Sequence, residues 1–139
     1  MKSNNEGGFS LVELLVVVVV IGIIASLAIP GLRKGIRAAE NGAIFATLRT
    51  IGSTQVSFYS QNNRFGRLVE LNNISGRGLG VPAGSQLLRN RFVLEMVPAA
   101  PTDDELRDGY TITATSDAVD MNVYKYEITQ TGEIRQILP

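Results

Sequence analysis

Gly8-Phe9-Ser10-Leu11-Val12-Glu13-Leu14-Leu15-Val16-Val17-Val18-Val19-Val20-Ile21-Gly22-Ile23-Ile24-Ala25-Ser26-Leu27-Ala28-Ile29-Pro30 is an apolar run broken by one carboxylate, that of Glu13. Wound as a helix, the roughly 21 residues from Phe9 to Ile29 cover about 31 Å, close to the hydrocarbon thickness of a bilayer. The chain is therefore read as membrane-inserted. Near that hydrocarbon an unpaired carboxylate costs on the order of 2 to 4 kcal/mol, so Glu13 is a functional candidate by default. A purely local role competes with that one. Ser10-Leu11-Val12-Glu13 has the form of a capping box, and an acid in the first helical turn stabilises by about 0.3 to 1 kcal/mol whatever else it meets.

A cleaved secretory signal explains the run poorly. Such a signal has a basic start, a short apolar core and small residues after that core. Here Gly7 and Gly8 come before the apolar residues, and Ala25-Ser26-Leu27-Ala28 is a weak cleavage sequence at the far end. A plain anchor fits the length but leaves Glu13 unexplained. Its orientation is also awkward, because Arg33, Lys34 and Arg37 follow the span while Lys2, offset by Glu6, precedes it. The positive-inside bias alone would place the C-terminal part in the cytoplasm.

At Gly8, Phe9, Ser10, Leu11 and Glu13 the chain resembles the type IV pilin and pseudopilin family. Prepilins of that family share a short polar leader ending in glycine, then phenylalanine, Ser or Thr, Leu, any residue, Glu, and a long apolar helix. The resemblance implies that residues 1 to 8 are a leader, removed by a prepilin peptidase between Gly8 and Phe9, and that the new α-amine of Phe9 is methylated. It implies that Glu13 meets the Phe9 amine of a neighbouring subunit as the helices stack, and that the C-terminal domain lies outside the cytoplasm, against the charge bias. The leader departs from the usual pattern in holding a single basic residue together with Glu6.

Beyond the span, residues 31 to 62 contain no proline. Ile44, Leu48, Ile51, Gln55 and Phe58 recur at alternating steps of four and three, which predicts one amphipathic continuation of the helix. Gly22 and Pro30 are its weak points. A proline removes one backbone hydrogen bond and crowds the preceding turn, so a kink or a locally unwound stretch is expected between them. In the family a glycine and a proline at these offsets mark the segment that loses helicity in assembled pili.

Residues 63 to 109 are rich in Gly, Asn and Pro and are expected to form a variable loop region, with Phe92 to Val97 read as a further strand or as the end of a helix starting at Ser85, the strand being favoured. From 110 to 139, Tyr110-Thr111-Ile112-Thr113-Ala114-Thr115, then Tyr124, Tyr126 and Ile128, then Ile134 to Leu138 alternate with period two. They predict an antiparallel sheet of three to four strands whose apolar face is covered by the Ile44/Leu48/Ile51/Phe58 face of the helix. The expected fold is thus α+β: a long kinked N-terminal helix, transmembrane over residues 9 to 30, packed on a C-terminal antiparallel sheet.

Charge and composition narrow the function. Thirteen basic and 13 acidic residues cancel, but residues 31 to 91 are locally basic while the part from 92 onward sets nine acids against Arg107, Lys125 and Arg135. Copies of one chain with such opposite regions can complement one another. Cysteine and histidine are absent, which removes the usual catalytic triads and common zinc sites. An enzyme is not expected, nor a cofactor. Asp103, Asp104, Glu105 and Asp108 offer oxygen ligands, but their spacing is a poor match to an EF-hand loop and no metal site is assigned. The arginines of residues 63 to 91 could contact phosphates, yet they lack interleaved aromatics beyond Phe65, which argues against nucleic acid as a partner.

The favoured reading is a structural subunit of a type IV pilus-like filament. Its implied partners are copies of itself, the prepilin peptidase, an inner-membrane assembly platform, and membrane lipid before assembly. A pseudopilin of type II secretion is the near alternative, and a membrane-tethered module binding DNA or a ligand is the more distant one.

Overall fold

A computed structural model describes residues 7–117 and 123–139. Lys2 and Glu6, in the expected leader, lie outside the described residues. Nine elements follow one another: α1 (Leu11–Asn62), α2 (Leu68–Ile74), β1 (Val81–Ala83), β2 (Gln86–Arg89), β3 (Phe92–Met96), α3 (Glu105–Asp108), β4 (Thr111–Ser116), β5 (Lys125–Thr129) and β6 (Ile134–Leu138). The chain divides into two units, residues 1 to 39 and residues 40 to 139.

The first unit is the apolar helix. Val16 to Val20 are β-branched and poor helix formers by intrinsic propensity. In hydrocarbon that preference is outweighed, because a helix satisfies every backbone N–H and C=O within the segment. Helical structure continues without a break through Gly22 and Pro30. Pro30 has no N–H to offer the carbonyl of Ser26, one turn earlier.

The second unit carries the core. Ile44, Leu48, Ile51 and Gln55 are buried as the four-three spacing requires, and Phe58 packs against the same cluster. Opposite them lie Ile112, Tyr126 and Ile128 of the sheet and Tyr110 just before β4, all buried, with Tyr124, just before β5, partly so. The ring of Phe45 meets that of Tyr126 at 4.6 Å between centroids. Asn62 ends the helix and Asn63 follows at φ +53°, a left-handed position that asparagine tolerates, with its N–H donating to Tyr59 O at 2.9 Å.

The sheet is larger than the sequence suggested. Six antiparallel strands run in chain order, β1-β2-β3-β4-β5-β6, rather than three to four. The two additional strands, β1 and β2, lie between residues 81 and 89, inside the stretch read as variable loop, whereas β3 falls where the sequence favours a strand from Phe92 to Val97. Their connections explain the misreading. Ala83 pairs with Gln86 and Arg89 with Phe92, so Gly84-Ser85 and Asn90-Arg91 are two-residue hairpin turns, with Gly84 at φ +65° and Asn90 at φ +52°. The same residue types that signal a loop also make tight hairpin turns. Pro82 sits on the edge strand β1, where a missing N–H costs no internal ladder bond. At the other end, Gly132 at φ +76° closes the β5–β6 turn by donating to Thr129 O.

Candidate assembly site

The start of α1 is built by two side chains three residues apart. Ser10 N–H donates to Glu13 Oε2 at 2.9 Å, and Glu13 N–H donates to Ser10 Oγ at 3.3 Å. This is the reciprocal capping box, and it satisfies two of the four N–H groups that a helix N-terminus leaves without internal partners. Capping therefore occurs, but it engages only one of the two carboxylate oxygens. Oε1 makes no hydrogen bond within the described residues and is free to meet a cation from outside the helix.

Among the described residues nothing covers the chain around that cap. Phe9 is 85% exposed, and every large apolar side chain from Leu11 to Ile29 is exposed on all sides of the helix. A helix that is apolar all round must be buried by lipid or by other protein. Among the described residues α1 is the one helix long and apolar enough to cross a membrane. Ser26, the polar residue of its second half, donates its Oγ–H to Ile23 O at 2.7 Å, so its hydroxyl is satisfied locally. A Cβ at Gly22 would meet nothing within 4 Å in the isolated chain, leaving that surface open to close approach by another helix.

Three of the four acidic residues near 105 make polar contacts within the chain. Asp103 Oδ1 lies 2.7 Å from Arg67 Nη2 and 3.5 Å from Arg64 Nε, and Asp104 lies 2.8 Å from Arg107. Glu105 caps its own short helix by accepting from Thr102 N–H and Oγ–H, contacts that lower its pKa. Among the described residues no group of three or more acids is arranged to hold a metal ion.

Arginines of the connecting region are similarly engaged. Arg64 makes a two-pronged contact with Glu70, at 2.9 and 2.7 Å, and its guanidinium stands 5.2 Å from the Phe58 ring centre. The hydrogen bond from Arg64 is the main cause holding the Glu70 carboxyl below its ordinary pKa, against the opposing effect of burial. Arg89 donates to Gly78 O, and Arg91 Nε lies 2.8 Å from Glu40 Oε2, an ion contact too poorly aligned to count as a hydrogen bond. The contacts of Arg67 with Asp103 and of Arg91 with Glu40 join segments far apart in sequence, so no local spacing could have revealed them. The arginine contacts weaken the case for a phosphate-binding patch, because four of the five arginines of residues 63 to 91 already have polar partners within the chain.

A long apolar helix with a capped glutamate at its start and a sheet domain at its end defines a membrane-anchored, helix-led α+β protein. The description of a prokaryotic N-terminal methylation motif matches residues 3–29. The chain is 32% identical to the type IV major pilin protein PilA of Myxococcus xanthus (strain DK1622), over an alignment covering 78% of this chain and 52% of the relative. Together the motif and the identity make the chain similar to type IV pilins. The chain spans about half the length of that curated relative. No solved structure matches it significantly.

Proposed function

We propose that the chain is a structural subunit that polymerises through α1 into a type IV pilus-like filament. The observation that carries this reading is the pairing of an uncovered apolar helix with a Glu13 carboxylate that retains one unengaged oxygen. A prepilin peptidase cuts between Gly8 and Phe9, the Phe9 amine is methylated, and that cationic amine pairs with Glu13 of an adjacent copy. Close pairing is tolerable in a low-dielectric surround where either charge alone is costly, so each added subunit is held to one register. The span holds the precursor in the inner membrane with the sheet domain outside the cytoplasm, and an assembly platform extracts it.

Gly22 and Pro30 supply the compliant part of the helix. The segment is helical in the single subunit, and the hydrogen bond missing at Pro30 makes it the least costly place to unwind once neighbouring helices bury the freed carbonyls. The relative's designation as a major pilin favours a surface pilus over a secretion pseudopilus. The role is structural, without chemistry of its own. Mass spectrometry of subunits from sheared surface filaments tests the proposal. A subunit beginning at methylated Phe9 is expected, and filaments whose subunit retains Met1 would overturn it.

A further inference from the structure

We propose that Arg33 and Lys34 form a docking collar for the phosphate headgroups of anionic phospholipids, fixing the depth of the helix in the bilayer. The inference rests on the membrane-spanning reading of residues 9 to 30. Arg33 and Lys34 lie four and five residues beyond Ile29, about 6 and 7.5 Å further along the helix axis at 1.5 Å per residue. The headgroup layer on each face of a bilayer is roughly 5 to 8 Å deep, so both cations fall at phosphate level when Ile29 marks the edge of the hydrocarbon.

Their surroundings fit that placement. Both residues are exposed, and among the described residues neither side chain has a hydrogen-bond or ion-pair partner. Leu32 and Ile36, 67% and 51% exposed, flank them on the same turns and extend the apolar surface to this depth. Long basic side chains there can lie along apolar surface while their charged ends reach phosphate oxygens. The nearest acid along the helix, Glu40, is already engaged by Arg91. The collar also stands on the side that positive-inside bias disfavours for an exported domain, so its charge must be offset locally, and anionic headgroups do that.

The test uses the full chain reconstituted in bilayers of equal phosphatidylglycerol and phosphatidylcholine, with a trace of one or the other lipid spin-labelled. The motionally restricted spectral component reports which lipid contacts the protein. At low salt, phosphatidylglycerol should be preferred by about two-fold or more, with the preference shrinking as salt screens the charges. Arg33→Gln combined with Lys34→Gln should abolish the preference while resistance to alkaline extraction is retained, and Arg33→Lys should preserve it. Equal contact by both lipids, or an unchanged preference in the double variant, overturns the assignment and leaves the acidic surface of a second copy as the partner. If neither lipid shows a restricted component, the membrane reading itself fails and takes the collar with it.

Discussion

The buried side-chain amide of Gln55 clasps the backbone of Gly66 from both sides, donating from Nε2 to Gly66 O at 2.9 Å and accepting from Gly66 N–H at 2.7 Å. Gln55 is fully buried in the middle of the helix face that covers the sheet. Its amide fixes the path of the chain as it leaves α1 and turns towards α2. Replacing Gln55 with Leu would keep the volume but strand two backbone groups, at about 1 to 3 kcal/mol each. Urea unfolding of the chain in detergent should show a clear drop in midpoint for Gln55→Leu, and an unchanged midpoint would mean that water replaces the clasp.

Gly66 is constrained from its own side as well. A Cβ there would lie 2.7 Å from Leu71 Cδ2 and 3.2 Å from Phe58 Cγ, inside ordinary contact distance of two core side chains. Gly66→Ala should therefore destabilise the sheet domain by about 1 to 3 kcal/mol through overpacking. Gly42→Ala, where a Cβ meets nothing within 4 Å, serves as the matched control and should be near neutral or slightly stabilising in the same unfolding assay.

The amide clasp shows where the sequence was legible and where it was not. Ile44, Leu48, Ile51 and Gln55 announced their common face through helical spacing, because burial on a helix follows a local period. What Gln55 does there depends on Gly66, 11 residues away, and no periodicity encodes that partnership. The strands of residues 110 to 138 were readable because alternation and β-branching coincide in them. β1 and β2 were not, since they span only three and four residues and are bounded by the same Gly, Pro and Asn residues that mark loops. In the assembly site the order was reversed: Ser10 and Glu13 sit three apart, and a reciprocal cap at that spacing is a purely local event.

Acid should loosen the α2 region through Glu70. The Arg64 hydrogen bond lowers the pKa of Glu70 in the folded chain, so the unfolded chain binds the proton more tightly. The stabilisation is then fully present above the ordinary carboxylate value of about 4.3 and is lost as pH falls through the lower folded value. Partial exposure of both side chains screens the pair and keeps the effect small. Unfolding midpoints of the parent should decline over this acid range more steeply than those of Glu70→Gln, and parallel curves would show that the pair contributes nothing measurable.

Loosening between Gly22 and Pro30 is expected only on assembly. Hydrogen exchange of the amides in this segment should be slow in the detergent-solubilised subunit, which is helical there, and faster in filaments, where carbonyls near Pro30 are released. Pro30→Ala restores the N–H that bonds the Ser26 carbonyl and should narrow the difference while reducing filament yield. Equal exchange in both states would mean that the helix enters the filament unchanged.

The helix cap made by Glu13 and the charge pairing proposed for it are separable, and one substitution distinguishes them. Glutamine can accept the Ser10 N–H through its side-chain oxygen, so Glu13→Gln keeps the capping box and removes only the charge. Glu13→Ala removes both. If assembly depended on capping alone, Glu13→Gln would polymerise normally and Glu13→Ala would not. The structure leaves one carboxylate oxygen unengaged, and neutral glutamine cannot offset the cationic Phe9 amine of a neighbour in a dry helix bundle. Both variants should therefore be cleaved and membrane-bound yet poor in filaments, with yield of sheared filaments reduced at least about ten-fold for a loss of some 1.4 kcal/mol per contact. Wild-type filament yield from Glu13→Gln would assign Glu13 to the helix cap and remove charge pairing from the assembly.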